Sequence, residues 1–233
     1  MENENFSVVK VFGVADEPLE KAFSEIKKDN PEVEFSFERN LLDVRVSIIG
    51  KNDKSTSLAM REFEKRFAEN IYAEYDASLQ EVLVYILKMG KLKVSVAESF
   101  TGGNLSARIV SVPGASEVFY EGVVAYSEAA KAKRLGVNEE SLAKYKPVSS
   151  QVAGEMARGL LNERVSDLAI ATTGLAGPKS DESGFPVGLC FIAVGSAQGI
   201  TVFKYRFDGN REEITKKGVQ TALFLAVKSV KNI

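Results

Sequence analysis

Histidine is absent from this chain of 233 residues. Without an imidazole there can be no Ser-His-Asp relay, no histidine-rich metal site and no imidazole general base. A serine nucleophile in this protein would therefore take its base from lysine, tyrosine or a carboxylate. Serine paired with lysine is the leading combination.

The chain also has little cysteine and a small net charge. Cys190 is the only cysteine, so neither an intramolecular disulfide nor a multi-cysteine zinc or iron–sulfur site can form, which is typical of a reducing compartment. Its apolar neighbours favour a core thiol. With 30 basic and 32 acidic residues, the net charge is −2. We therefore expect no nucleic-acid partner and favour a small molecule.

Long apolar runs are missing as well. No stretch approaches the roughly 20 apolar residues that a membrane-spanning helix needs. Residues 1–5 are acidic and lack the basic flank and apolar run of a signal peptide. We expect no membrane partner and a cytoplasmic location.

Residues 1–75 have the pattern of a small α+β domain. Alternating apolar positions predict strands, and apolar positions at helical spacing predict helices, in the order β-α-β-β-α. The predicted elements are a strand at 6–14, a helix at 17–28, a hairpin of strands at 33–37 and 42–48, and a helix at 58–68. In such a unit the second helix would pack on one face of a three-stranded sheet.

Residues 76–233 have the pattern of a larger α/β domain. A helix at 78–88 is followed by Gly90 at the position of a left-handed cap. Strands and helices then alternate, and a hairpin and a final helix complete the domain. The predicted strands are 93–97, 118–126, 167–173, 187–194 and 201–207, and the predicted helices begin near residues 101, 128, 139, 149 and 212. This order predicts a three-layer α/β/α sandwich with a mixed sheet.

The first strand-to-helix turn carries a candidate nucleophile. Ligands gather at the carboxyl ends of such strands, where helix N-termini offer free N–H groups. Ser99 lies at one such end, and the N–H groups of Thr101, Gly102 and Gly103 are placed to hold an oxyanion or a phosphate. The alternative is that Ser99 and Thr101 only cap the helix.

Two further turns of the same kind follow. Tyr126 and Lys131 straddle the second, where burial would lower the pKa of the lysine toward that of a working base; the alternative is an interface tyrosine with a solvated lysine. Thr173 ends an apolar strand, where its hydroxyl would orient a substrate amide or simply serve a turn. Arg211 opens the last helix and would clamp a phosphate, or remain solvated.

Taken together, these segments resemble the C-terminal domain of the CinA family (competence/damage-inducible protein), whose stand-alone members include nicotinamide mononucleotide amidases. The resemblance covers residues 76–233. The motifs, in the family's order and spacing, are Ala97-Glu98-Ser99-Phe100-Thr101-Gly102-Gly103, Val112-Pro113-Gly114-Ala115-Ser116, Gly122-Val123-Val124-Ala125-Tyr126-Ser127, Lys131, Leu135-Gly136-Val137, Val148-Ser149, Thr173-Gly174-Leu175-Ala176-Gly177-Pro178, Pro186-Val187-Gly188 and Gly209-Asn210-Arg211. Residues 6–75 look like the KH-type middle domain of longer CinA proteins, but they lack the Gly-X-X-Gly loop of an RNA-binding KH domain.

The resemblance implies hydrolysis of the carboxamide of nicotinamide mononucleotide to nicotinic acid mononucleotide and ammonia. Ser99 would be the nucleophile, Lys131 its base, and Tyr126 a relay or orienting group. Substrate would be bound by Thr101, Gly102, Gly103, Thr173 and Arg211. No metal or other cofactor is implied, and we expect a homo-oligomer.

The chain departs from the family pattern around one loop. Phe100 stands where the family usually has cysteine, Lys179-Ser180-Asp181 replaces Asp-Gly-Gly, Phe185 replaces a lysine, and Asn210 replaces an aspartate. The stiffer loop and the lost cation leave a second hypothesis open. In it the chain is a catalytically silent nucleotide-binding, regulatory or scaffold module.

Overall fold

The computed structural model describes residues 5–162, 165–180 and 184–230. It divides into two compact units, Met1–Ser78 and Leu79–Ile233. The helix that is predicted to begin near residue 149 extends in that prediction to about Glu163; that end and the loop residue Asp181 lie outside the described residues. None of the helices in the described ranges is long and apolar enough to cross a membrane.

The first unit is a four-stranded antiparallel sheet with helices against one face. Its order is β2-β3-β1-β4, and apolar side chains of β1 and β3 form a core with those of α1 and α2. Its elements are β1 (Asn5–Phe12), α1 (Asp16–Asp29), β2 (Glu34–Asn40), β3 (Asp43–Gly50), α2 (Asp53–Phe67) and β4 (Ile71–Ala73). The three-stranded sheet predicted from the sequence is therefore wrong by one strand, because β4 is too short to show an alternating pattern.

The second helix of this unit begins earlier than its apolar spacing predicts. Asn52 accepts a hydrogen bond from the Ser55 N–H at 3.0 Å, and the Ser55 hydroxyl accepts one from the Asn52 N–H at 3.2 Å. This reciprocal capping starts α2 at Asp53 instead of near Leu58. The KH-type assignment stays a prediction.

The second unit is built on a mixed five-stranded sheet. Its strand order is β6-β5-β7-β8-β9; β5 pairs in parallel with β6 and β7, whereas β7, β8 and β9 pair antiparallel. Its elements are α3 (Leu79–Gly90), β5 (Val94–Glu98), α4 (Asn104–Val110), β6 (Phe119–Val124), α5 (Glu128–Leu135), α6 (Glu139–Tyr145), α7 (Ser150–Leu161), β7 (Leu168–Gly174), β8 (Leu189–Ser196), β9 (Gly199–Arg206) and α8 (Arg211–Val230).

Helices cover both faces of this sheet. On one face α7 packs on β5, β7, β8 and β9, and α5 and α6 pack on α7. On the other face α8 packs on β7 and β8, with α3 and α4 against it. The predicted three-layer α/β/α sandwich with a mixed sheet is therefore confirmed.

Glycine placement explains two helix boundaries in this unit. Gly136 ends α5 with φ of 65°, as its position predicts. Gly90, in contrast, is the last residue of α3, and Lys91 is the residue with positive φ, at 54°. Gly102 and Gly103 have φ of 59° and 96°, so the chain turns after β5 and α4 starts at Asn104 instead of Thr101.

Candidate active site

Ser99 lies at the carboxyl end of the sheet's central parallel region. It follows β5 directly, and its N–H donates to the carbonyl of Thr172 at 3.0 Å. Glu98 pairs with Thr172 in the register of β5 and β7, so the next step of the register places Ser99 beside Thr173. This is the edge of a parallel sheet at which ligands bind.

Lys131 reaches the serine from α5. Its Nζ lies 3.0 Å from Ser99 Oγ and donates to the Ala125 carbonyl at 3.1 Å. The lysine is 2% exposed and the serine 7%. The alternative of a solvated lysine is therefore wrong, because the helix buries its side chain against the serine.

The burial of Lys131 changes its acidity. Removal from water disfavours the ammonium form and lowers the pKa from 10.5 to about 8, although the nearby Glu128 carboxylate opposes this shift. A lysine with a pKa near 8 is partly neutral close to physiological pH. It can therefore accept a proton from Ser99.

Glu98 is a buried carboxylate that organises the turn carrying Ser99. Its Oε2 accepts from the N–H groups of Gly103 and Leu105 at 2.9 and 3.0 Å, and its Oε1 accepts from the N–H and hydroxyl of Ser106 at 2.8 and 2.6 Å. Sequence reasoning missed this role. The usable signal was an acidic residue shortly before a helix start, where the helix dipole favours negative charge.

The hydroxyl of Ser99 is consequently not a helix cap. Glu98 accepts from the N–H groups of Leu105 and Ser106 in the first turn of α4, and the Thr101 hydroxyl pairs with that of Thr172 at 2.7 Å in a buried contact. The helix-cap alternative is therefore not what the structure shows for Ser99 or Thr101. Ser99 Oγ is left to pair with Lys131.

The backbone N–H groups of this turn are not equally available. Gly102 N–H donates to the Ser99 carbonyl at 3.1 Å, and Gly103 N–H donates to Glu98. Within the described residues, the N–H groups of Phe100 and Thr101 donate to no protein acceptor. The N–H groups that remain for an oxyanion are therefore those of Phe100 and Thr101, whereas the sequence predicted those of Thr101, Gly102 and Gly103.

Tyr126 and Arg211 contact each other. Arg211 Nη2 donates to the Tyr126 hydroxyl at 2.8 Å, and Arg211 Nη1 donates to the Gly177 carbonyl at 2.6 Å. The tyrosine is 58% exposed. Its hydroxyl contacts the arginine and makes no hydrogen bond to Lys131. Of the two roles that the resemblance implied for Tyr126, relay and orienting group, the relay is therefore absent from the structure.

Thr173 is buried and hydrogen-bonded to the loop before α7. Its hydroxyl donates to the carbonyl of Pro147 at 2.7 Å. Lys146, the preceding residue, has φ of 68° and ψ of 159°, a conformation that is costly for any residue except glycine. Ser149 Oγ donates to the Lys146 carbonyl at 2.9 Å and caps α7. No local pattern in the sequence indicates this contact.

One cavity joins most of the predicted site residues. It has a volume of about 410 Å³. Its lining includes Ser99, Tyr126, Lys131, Thr173 and Arg211, together with Phe100, Ser127, Glu128, Pro147, Val148, Gly174, Leu175, Ala176, Gly177 and Lys179. Thr101, Gly102 and Gly103 do not line it. Lys179, within the loop that departs from the family pattern, adds a second cation to Arg211.

Two other chemistries find no support in the described residues. No group of three or more histidine, cysteine, aspartate or glutamate side chains there could hold a metal ion. Cys190 is buried, and burial raises the pKa of its thiol to about 12. A thiol of that pKa is inert as a nucleophile.

Fold and site define a class of protein: an α/β domain with a buried Ser/Lys pair at the carboxyl ends of its parallel strands. The model of the family described as "CinA C-terminal domain" matches residues 76–230 of this chain. The chain belongs to the CinA family.

Relatives of known sequence support this membership over nearly the whole chain. A competence-damage inducible protein of Alkaliphilus oremlandii is 36% identical over 98% of this chain and 57% of its own length. A CinA-like protein of Endomicrobium trichonymphae is 35% identical over 94% of this chain and 54% of its own length. The chain thus spans little more than half the length of these two relatives.

Solved structures show the same fold. A CinA superfamily protein of Klebsiella pneumoniae superposes with a TM-score of 0.65 at 31% identity, over 66% of this chain and 97% of that one. A competence/damage inducible protein of Agrobacterium tumefaciens gives a TM-score of 0.62 at 32% identity, over 68% and 99% of the two chains.

Proposed function

We propose that this protein is a metal-independent amidohydrolase that converts nicotinamide mononucleotide to nicotinic acid mononucleotide and ammonia. The observation that carries the proposal is the buried pair of Ser99 and Lys131, 3.0 Å apart, in a cavity lined by further hydrogen-bonding side chains. A serine next to a lysine of lowered pKa is an arrangement that can perform acyl transfer in a protein without histidine.

The chemistry proceeds in two halves. Neutral Lys131 accepts the Ser99 proton as Oγ attacks the carboxamide carbon, and the resulting ammonium returns a proton to the departing nitrogen, which leaves as ammonia. The acyl-enzyme ester is then attacked by water, with Lys131 again accepting a proton. Cleavage of the ester bond returns that proton to Ser99 and frees the carboxylic acid.

Charge that develops on the carbonyl oxygen needs donors close to Ser99. The N–H groups of Phe100 and Thr101 are the free backbone donors of this turn. The residue after a nucleophile commonly supplies one such group. Of these two residues Phe100 lines the cavity, and in this proposal its N–H group belongs to the oxyanion hole.

The mouth of the cavity suits a phosphate. Arg211 and Lys179 both line it, and guanidinium and ammonium groups are the usual phosphate ligands of proteins. Arg211 is held between Tyr126 and Gly177 by its two terminal nitrogens. Tyr126 therefore acts in this proposal by orienting Arg211 at the mouth. The cavity volume of about 410 Å³ lies within the usual range of small-molecule sites.

The decisive experiment measures ammonia release by the purified chain from nicotinamide mononucleotide and from free nicotinamide. We expect release from the nucleotide and its loss in Ser99→Ala. The matched control is Ser95→Ala. This variant removes a buried hydroxyl of β5 that is hydrogen-bonded to the Ser166 hydroxyl and lies away from the cavity, so the variant should keep turnover. Nucleotide binding without ammonia release would support the silent-module alternative instead.

The assembly state is a separate proposal. We expect a homo-oligomer, which size-exclusion chromatography with light scattering would reveal. A monomer at micromolar concentration would contradict it.

A further inference from the structure

Glu128 is a carboxylate of the cavity to which the proposed mechanism gives no role. It is the first residue of α5, it is exposed, and it lines the cavity. The other charged residues of the lining are the cations Lys131, Lys179 and Arg211. Within the described part of the chain, Glu128 is thus the single acidic side chain of the cavity.

The carboxylate of Glu128 is available to a ligand. No hydrogen bond or ion pair joins it to another described residue. Arg211, a cation of the same lining, donates instead to the Tyr126 hydroxyl and the Gly177 carbonyl. The helix dipole favours a carboxylate at the start of α5, but that effect does not require the side chain to line a cavity.

Helix geometry places Glu128 next to the reacting pair. It precedes Lys131 by three residues, and side chains three apart on a helix are neighbours on one face. From that face Lys131 reaches Ser99. The charge of Glu128 acts on the lysine in keeping with this position, because it opposes the lowering of the pKa of Lys131. The two residues are separated by a rise of only about 4.5 Å along the helix axis.

The ring of nicotinamide mononucleotide carries a permanent positive charge. Its nitrogen is bonded to carbon in the ring and to the ribose and has no proton to lose, so this charge does not depend on pH. Nitrogen and carboxamide are meta to each other on one six-membered ring. Attack by Ser99 on the carboxamide carbon therefore brings the ring cation close to α5. The cations of the lining repel that charge, and only a carboxylate attracts it.

We propose that Glu128 is the specificity-determining residue that recognises the positive charge of the substrate ring, so that the site prefers pyridinium carboxamides to neutral aromatic ones. The inference rests on the proposed function and adds to it the charge class of the substrate. The two ends of one nucleotide then meet opposite charges in one cavity: the phosphate meets Arg211 and Lys179, and the ring meets Glu128.

The test compares two nucleotides that differ by this charge. Benzamide riboside 5′-phosphate has the carboxamide, ribose and phosphate of nicotinamide mononucleotide, but carbon replaces the ring nitrogen and the ring is neutral. The full chain carries Ser99→Ala to prevent turnover. Calorimetry is performed at about pH 9.5, where Lys131 is largely neutral because its pKa is about 8. We expect the cationic nucleotide to bind about fivefold more tightly at low salt, and added salt should reduce this ratio.

Glu128→Gln should reduce the ratio to near one, since the amide keeps the size of the side chain and loses its charge. Glu139→Gln is the matched control and should leave the ratio unchanged. Glu139 is likewise the first residue of its helix, but it does not line the cavity. If circular dichroism shows Glu128→Gln to be unfolded, Glu128→Ala replaces it.

A ratio near one in the Ser99→Ala protein overturns the inference without any variant of Glu128. So does a preference that persists after Glu128→Gln, or one that Glu139→Gln lowers equally. These outcomes leave ammonia release by the native chain intact. Binding of neither nucleotide, in contrast, overturns the proposed function together with the inference.

Discussion

Glu98 and Ser106 form a two-point contact in which one carboxylate oxygen accepts from both the backbone N–H, at 2.8 Å, and the hydroxyl, at 2.6 Å, of the same residue. The other oxygen binds the N–H groups of Gly103 and Leu105. This buried carboxylate links the end of β5 to the first turn of α4. The turn between them carries Ser99.

Glu98→Gln should destabilise the protein. The amide places an N–H₂ donor against groups that are themselves donors, so at least one buried hydrogen bond to a charged acceptor is lost. We expect the free energy of unfolding to fall by about 2 kcal/mol or more, measured by urea denaturation with circular dichroism. Glu117→Gln is the control, because its ion pair with Lys88 is exposed and should contribute less than about 1 kcal/mol. Equal effects of the two changes would contradict the role given to Glu98.

Lys131 should give the protein a pH-dependent stability of known sign. Its pKa is about 8 in the folded chain and 10.5 ordinarily, so the unfolded state binds more protons between these values. Wild-type stability therefore rises from pH 8 to pH 10.5 by up to roughly 3 kcal/mol from this group, and the cost of burying the charge is fully present below pH 8.

Lys131→Met isolates that contribution. The free energy of unfolding of the variant minus that of the wild type should be larger below pH 8 and smaller at pH 10. Other titrating groups cancel in the difference. A difference that stays constant over this range would refute the lowered pKa. Turnover by wild type should rise with pH through about 8 as the base becomes neutral, and the variant should be inactive.

Phe100 and Gly218 should be energetically coupled. A Cβ built on Gly218, a buried residue of α8, would lie 2.5 Å from Cζ of the buried Phe100 ring. We expect Gly218→Ala to destabilise the wild type by about 1 to 3 kcal/mol through overpacking. The same substitution in a Phe100→Cys background should cost much less. A double-mutant cycle on the four proteins measures the coupling, and additive effects would exclude the contact.

Ammonia release, where it is detected, should survive chelation. The chain has no histidine, and the described residues offer no cluster of metal ligands, so the mechanism uses Lys131 as its base. We expect unchanged turnover after incubation with EDTA and removal of the chelator. A lasting loss that added zinc or magnesium restores would contradict the metal-free mechanism.

Local patterns in the sequence predicted the type of fold and identified the candidate residues of the site. The alternation of strands and helices predicted the three-layer sandwich, because apolar periodicity reports which face of each element is buried. Gly136 and Ser149 marked the ends of their helices, since caps depend on local backbone conformation. The absence of histidine restricted the base of Ser99 to a few residue types before any contact was known.

Only the tertiary structure decided which of these side chains meet and how they titrate. Ser99 and Lys131 are 32 residues apart, and Tyr126 and Arg211 are 85 apart. Whether such groups touch depends on strand register and helix packing, which no local pattern encodes. The lowered pKa of Lys131 arises from its removal from water in the folded chain. The carboxylate of Glu98 likewise gained its role because folding buried it beside the N–H groups of Gly103, Leu105 and Ser106.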